Sequence, residues 1–446
     1  MPRVIVAGGG LAGMAASAAL ASADFRVTLF ESRPFLGGRA TSFPLNASDE
    51  ASETIDNCQH VLLRCCVNLL DFYRRLGVSD RIRFHREFHF IEPGGRVSTL
   101  KPGWAPPPFH LTGSFTRIPF LTASAKIAIA RALAAIGRDW ARRDDLDRIT
   151  MLDWLREQRQ PADAIARFWR PVLVSAINAE LDRAAATHGL QVFRLAFLAD
   201  PNSHEMGVPA VPLAELYVFS GTEELRRVEV KTRSSVDRIQ FAGGSVSGMG
   251  VRQELHAADY YVCALPVERI AAVAPELNLD LTAFRHSPIT GIHLWFDRTV
   301  TDLPQAALLD RTMQWVFNKD GGRYLQLVVS ASYSLVEMAR GEIIALALRE
   351  LTEFLPPVRD AVLVKAQVVK ELHATFSPAP GLETLRPASA TAFPNLFLAG
   401  DWTRSGWPST MEGAVRSGYL AAEAVTKSAG RPRQFLIPDR GLGARA

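Results

Sequence analysis

The chain has 446 residues, 48% hydrophobic and 22% charged, the make-up of a globular protein with a real core and room for about two or three domains. Its 50 basic and 46 acidic residues leave a formal charge of +4, too mild to mark a nucleic-acid partner. The four cysteines, Cys58, Cys65, Cys66 and Cys263, are too few for a disulfide framework, so the chain reads as reduced and cytoplasmic.

Residues 4–23, VIVAGGGLAGMAASAALASA, carry no charge and imitate a secretory leader. Gly8, Gly9, Gly10 and Gly13 argue otherwise, because they would break an apolar helix but suit a strand, a turn and a helix. Val4–Ala7 is an apolar run fit for a buried parallel strand. Gly8, Gly10 and Gly13 match G-x-G-x-x-G, which supplies a tight turn, close backbone approach to a pyrophosphate and close helix–strand packing. The helix from about Ala12 to Ser22 offers free N–H groups to phosphates. RVTLF is the second strand, and Glu31 follows it, about 20 residues past the glycines, where a carboxylate bonds a ribose 2′-OH and disfavours a 2′-phosphate. This unit predicts a dinucleotide fold without separating NAD from FAD. No other stretch is long and apolar enough to span a bilayer.

Next comes RPFLGGRATSF, where Gly37 and Gly38 let the backbone approach a ligand and Arg39 supplies a cation. IDNCQHVLLRCC (55–66) holds three cysteines and His60, yet it lacks C-x-x-C and a fourth ligand at a metal-binding spacing, so neither a thiol centre nor a metal site is expected. HVLLRCCVNLLDFYRRLGV reads instead as one amphipathic helix with Leu62, Cys66, Leu69, Leu70 and Tyr73 on one face. Residues 114–143 read as a basic amphipathic helix carrying Lys126, Arg131, Arg138, Arg142 and Arg143. It lies either on an anionic membrane or over the core as an ordinary surface helix. FHREFHF (84–90), WAPPPFHL (104–111), GIHLWF (291–296) and MQWVF (313–317) mix aromatic, apolar and basic residues, mostly core by composition. The far end, NLFLAGDWTRSGWPSTMEGAVRSGYLAAEAV, predicts a strand over Leu396–Ala399, a Gly400-Asp401 turn and a helix from about Thr410. Asp401 suits hydrogen bonding to a polyol, and the helix start suits negative charge on a ring carbonyl.

The glycine unit, the GGR segment and the Gly-Asp end together resemble the FAD-binding set of the flavin amine oxidase and phytoene desaturase superfamily. The resemblance implies an α/β protein: a Rossmann-like FAD-binding domain with a parallel sheet and an inserted α+β substrate domain. It puts Glu31 at the adenosine ribose, Arg39 beside the pyrophosphate, and Asp401 at the ribityl or pyrophosphate region, with Gly38 and Gly400 also among the cofactor-binding positions. Met411, Glu412 and Ala414 would approach the isoalloxazine through their backbone. VEVKTRSSVDRIQF resembles the strand pair whose valine, here Val236, holds the adenine. DYYVCALPVERI (259–270) resembles the strand that returns to the nucleotide domain, with Ala264 and Pro266 near the cofactor. The order of these pieces assigns 1–80, 215–280 and 388–446 to the FAD-binding domain, and 81–214 and 281–387 to the inserted domain.

DNCQHVLLRCCVNLLDFYRRLGV, FWRPVLVSAIN (168–178), MGVPAVPLAELYV (206–218), MQWVFNKDG (313–321) and the AGDWT…PSTMEGAVRSG end are similar to the hydroxysqualene dehydroxylases, with Cys58 where that family has glycine. This implies a polar wall at the flavin built from Asp56, Asn57, Gln59 and His60, and FAD-dependent reductive dehydroxylation of a long-chain isoprenoid fed by an external electron donor. The aromatic segments would line the isoprenoid pocket. Hydroxide leaves poorly, so a general acid is required. The expectation is His60 oriented by Asp56, the alternatives being Asp56 itself, a water held by Gln59, or a His60 that merely caps its helix. A water-insoluble substrate favours peripheral contact of 114–143 with the inner face of the cytoplasmic membrane. Rival readings are a carotenoid-type desaturase, an amine oxidase and a non-catalytic FAD-binding escort protein.

Overall fold

The computed structural model describes residues 1–45, 53–219 and 221–439. Four short, mainly apolar runs and the alternating edge segment VEVK form one parallel sheet, ordered Val228–Lys231, Arg26–Phe30, Arg3–Ala7, Tyr260–Cys263 and Leu396–Leu398. Both faces are covered, which is why the inner strands read as mainly apolar stretches. On one face the helix Leu11–Ser22, buried from Leu11 to Ala21, packs against the C-terminal helix Met411–Ser428. Gly418 makes that contact possible, since a Cβ there would lie 2.2 Å from the Ala12 carbonyl oxygen. On the other face an antiparallel meander, Val236–Ala242, Ser245–Val251 and Glu254–His256, buries Val236, Ile239 and Met249 against Ile5, Phe30 and Tyr261. The expected strand pair at 228–241 is therefore two strands in two layers. Val228–Lys231 joins the parallel sheet and Val236–Ala242 the meander, with Arg233 turning the chain between them at φ 52°. The last seven residues of the expected final FAD segment, 440–446, lie outside the described residues.

The second large sheet has seven strands, ordered Leu363–Phe376, His286–Phe296, Tyr324–Ser330, Trp315–Asp320, Gln305–Leu308, Phe88–Ile91 and Val97–Leu100. Only the pairing of Gln305–Leu308 with Phe88–Ile91 is parallel. Alternation along the strands sorts the side chains. Ile292, Leu294, Val316, Leu325 and Leu327 face the helix Arg340–Phe354. Phe88, Phe90, Trp315, Phe317 and Val328 face a helical lobe that includes Ala123–Arg142 and Ala186–Phe193.

Two expected helices are shorter than their periodicity suggests. Over 60–78 the helix is only Val67–Leu76, closed by Gly77 at φ 75°. Leu62–Leu63 is instead a strand pairing antiparallel with Met206–Gly207. A tertiary edge contact here outweighs a helical pattern, as is common for short segments. Over 114–143 the helix is Ala123–Arg142, preceded by the turn Thr112–Phe115. Pro119 cannot extend a helix backwards, and the Thr122 side chain caps the new start by accepting from Ala125 N–H. Among the described residues no helix is long and apolar enough to cross a membrane.

Candidate cofactor and active site

The nucleotide cradle is made mostly of main chain. Gly8 has φ 108°, and a Cβ on it would lie 2.5 Å from the Ala264 carbonyl oxygen. A Cβ on Gly13 would lie 1.9 Å from the Gly8 carbonyl oxygen. Gly10 starts the helix Leu11–Ser22 with no side-chain cap and no acid in its first turn, which leaves its N–H groups for an anion. Gly37 N–H donates to the Gly9 carbonyl at 2.9 Å, and a Cβ on Gly38 would come within 3.0 Å of Gly10 Cα. The two glycine loops are thus pressed together, a spacing only glycine permits. Glu31 is buried at the strand end and accepts from Gly9 N–H and Arg33 N–H, both at 2.7 Å. Ser234 N–H donates to the Glu31 carbonyl at 2.8 Å, which brings the meander and buried Val236 beside that carboxylate.

The far-end segment closes over this cradle. Arg39 pairs with Asp401 at 2.5 Å and donates to the Ala374 carbonyl at 3.3 Å. Ser409 donates to the other Asp401 oxygen. Gly400, at φ 138°, donates to Ser417 Oγ at 2.8 Å. Thr410 caps the C-terminal helix by accepting from Gly413 N–H at 3.1 Å. The Glu412 side chain points away from the cradle, accepting from Leu69 N–H at 2.7 Å and Asn68 Nδ2 at 2.8 Å. Burial raises its carboxyl to about 7. Only the backbone of Glu412 is left for a ligand, while Met411 and Ala414 pack against the core beneath.

The segment 56–60 is the seam between cradle and second sheet. Asn57 Nδ2 donates to the Arg39 carbonyl at 2.9 Å and to Glu371 at 3.1 Å. His60 Nε2 hydrogen-bonds Asn57 Oδ1 at 3.0 Å. Asp56 is fully engaged on one oxygen, accepting from Ser42 Oγ at 2.7 Å and Leu213 N–H at 3.0 Å. Lys319 reaches the wall from the strand Trp315–Asp320, its side chain only 18% exposed. Its Nζ donates to Gln59 Oε1 at 2.8 Å and lies 3.5 Å from the second Asp56 oxygen. Gly291 of the facing strand sits against the wall, where a Cβ would lie 2.9 Å from the Asn57 carbonyl oxygen. Beside it His293 Nδ1 pairs with the Tyr324 hydroxyl at 2.7 Å. Lys319 and Tyr324 also line a cavity of about 340 Å³ with Ile55, Val208, Pro209 and Phe317.

Burial sets the charges. His60 and His293 are each lowered to about 4, so both rings are neutral near pH 7. Cys58 is pushed up to about 12 and carries no thiolate. Cys58, Cys65 and Cys66 are free thiols. Burial also lowers Lys319, opposed by Asp56. The structure thus gathers Asp56, Asn57, Gln59 and His60 on one wall and gives it a buried amine. Lys319, His293, Tyr324 and Glu371 were not anticipated. MQWVFNKDG does carry the signal for Lys319: period-two alternation puts it on one face with Trp315 and Phe317.

The sequence pattern of the family described as flavin containing amine oxidoreductase matches residues 11–426. A zeta-carotene desaturase of Synechocystis sp. is 26% identical over 98% of this chain and 100% of its own length. A hydroxysqualene dehydroxylase of Zymomonas mobilis is 26% identical over 94% of this chain and 97% of its own. Among solved structures, an oxidoreductase from Methanosarcina mazei superposes with a TM-score of 0.71 at 16% identity, over 93% of this chain and 98% of that one.

Proposed function

The chain belongs to the flavin containing amine oxidoreductase family, and from that premise we propose that it is an FAD-dependent dehydroxylase of a long-chain isoprenoid alcohol, converting hydroxysqualene to squalene. The cradle fits FAD: glycines where a Cβ would collide, an uncapped helix start, a buried Glu31 and Arg39 at the loop junction. When bound, FAD supplies hydride chemistry. The protein's own residues bind and orient the substrate, exclude water and deliver a proton.

The observation that carries this reading is Lys319. Replacing hydroxyl by hydrogen breaks a C–O bond, forms a C–H bond and releases water, so a proton must reach the departing oxygen. The Lys319 amine is held by Gln59 and Asp56 at the edge of a cavity of mixed lining, where Arg83, His85 and Asn318 face Ile55, Val208 and Phe317. Protonated, it can give its proton to a leaving hydroxyl, which is the role this reading assigns it; in a desaturase the neutral amine would instead take the proton lost beside the hydride, so product analysis decides between the two. The expectation for His60 meets a neutral ring, whose remaining N–H is a poor acid. Asp56 holds Ser42 and Leu213. We therefore assign the proton to Lys319, with Gln59 and Asp56 positioning it and His60 holding Asn57. The names of the relatives, which include both desaturation and dehydroxylation, support an isoprenoid substrate.

The discontinuous domain division at 80/81, 214/215, 280/281 and 387/388 belongs to the same proposal, as does an external electron donor. So does peripheral contact with the inner face of the cytoplasmic membrane: Trp104 is 98% exposed, Phe109 63% and Ile127 55%, with Arg131 four residues along the same helix. The test is anaerobic product analysis. Dithionite-reduced protein given hydroxysqualene should yield squalene and oxidised flavin. A more conjugated polyene formed by oxidised protein from a carotene precursor, with no squalene from the reduced protein, overturns the reading.

A further inference from the structure

Away from the wall, three ligating side chains from three separate elements converge. Glu268 lies on the helix Val267–Val273, His286 begins the strand His286–Phe296, and His373 lies in the strand Leu363–Phe376. His286 Nε2 is 2.9 Å, and His373 Nδ1 3.7 Å, from the same Glu268 oxygen. One ligand atom from each residue falls within 4.8 Å of the others. The two imidazoles stack, with centroids 4.2 Å apart and planes at 18°, so the exposed His373 ring must turn about its side-chain torsions before both ring nitrogens can face one ion.

A hydrogen bond accounts for the His286–Glu268 contact but not for the whole arrangement. At 3.7 Å the second imidazole is beyond hydrogen-bond range of the oxygen it faces. Zinc-class ions bind nitrogen and oxygen at about 2.0–2.2 Å, which puts neighbouring ligands of a tetrahedron about 3.4 Å apart. The two distances to Glu268 bracket that value. The register of the two strands shifts between Ser287 and Ile289, where the histidines meet. Asn178 Nδ2 then ties both strands, donating to the Ser287 carbonyl at 3.1 Å and to Thr375 Oγ1 at 2.9 Å. Arg39 is the nearby cation, and Asp401 already neutralises it at 2.5 Å. The His373 side chain is 64% exposed, leaving one side open to solvent.

We propose that Glu268, His286 and His373 form a site for one divalent transition-metal ion of the zinc class, with solvent completing the tetrahedron. The site shares no residue with the proton-donating constellation and does not depend on the reaction assigned to it. The experiment uses full-length, FAD-loaded, tag-free protein stripped with chelator and titrated calorimetrically with zinc chloride. The expected result is one equivalent bound with micromolar affinity. His373→Ala and Glu268→Gln should each weaken it about tenfold or more, the scale of losing a metal-site partner. Both positions are partly exposed, so flavin content and the zinc-free melting temperature should stay at parent values. No micromolar uptake by the parent, or one-equivalent binding that survives both substitutions, overturns the proposal.

Discussion

The cofactor cradle and the polar wall lie side by side and differ in what they are made of. The cradle is main chain against main chain: Gly8 on Ala264, Gly13 on Gly8, Gly37 on Gly9. The wall is side chain against side chain, drawn from Ser42, Asp56, Asn57, Gln59, Lys319 and Glu371. A cradle of this kind tolerates no added atom, because backbone cannot step aside. A wall of this kind tolerates altered shape but not altered charge, because each buried polar group depends on its partner. The two regions should therefore fail differently.

The largest failure belongs to the cradle. Gly13→Val places carbon within contact distance of the Gly8 carbonyl, where even a Cβ would lie at 1.9 Å. The helix must shift away from the glycine turn, at a cost of roughly 1–3 kcal/mol or more. The purified protein should be colourless, and its flavin-to-protein ratio by absorbance checks this. A yellow variant with normal flavin content would mean that the cradle is softer than the wall, reversing the comparison.

The wall should fail in chemistry while keeping its cofactor. Lys319→Met preserves length and removes the charge. Flavin content should hold, and single-turnover squalene formation should fall about 10²–10⁴-fold, the usual worth of a general acid. His60→Ala should cost less than about tenfold on the same assay, because its ring is neutral. If His60→Ala suffers the larger loss, the proton belongs to His60 and Lys319 is structural.

Legibility in the sequence follows the same division. Main-chain contacts need glycine at fixed offsets, so Gly8, Gly10, Gly13 and Glu31 stood out within one short segment, and the parallel strands around them are where apolar runs predicted. Asp401 and the helix start at Thr410 were legible for the same local reason. The wall was legible only in its one contiguous part, 56–60. Lys319 joins it across 260 positions and Glu371 across 314, through strand register that no local pattern reveals. The helix expected over 60–78 misread Leu62–Leu63 for a related reason, since its partner strand starts at Met206.

Acid should separate the regions again. His60 has a folded value near 4 against an ordinary value of 6.5. The unfolded chain then binds a proton that the folded chain refuses. Stability from this group is complete above about pH 6.5 and is lost as pH falls towards 4. Between pH 7 and 5 the loss is about 2 kcal/mol. His60→Asn should unfold in urea with an acid sensitivity smaller by about that amount. An unchanged pH slope would mean that His60 is solvated and that the wall opens in solution.

The smallest expected effect lies outside both regions and tests where the substrate comes from. Arg131 is exposed on the helix Ala123–Arg142, four residues from Ile127, which is 55% exposed. Two other cations expected to face a membrane are already engaged, Arg138 with Asp139 and Arg143 with Asp145 and Glu157. Reversing those would damage the fold and the surface together. Arg131→Gln isolates the surface. A basic side chain near an anionic bilayer contributes about 1 kcal/mol, so partition onto phosphatidylserine-containing vesicles should weaken roughly fivefold, with no change on neutral vesicles. Flavin content and melting temperature should match the parent. If the parent itself stays in solution with both vesicle types, this helix only covers the core beneath it.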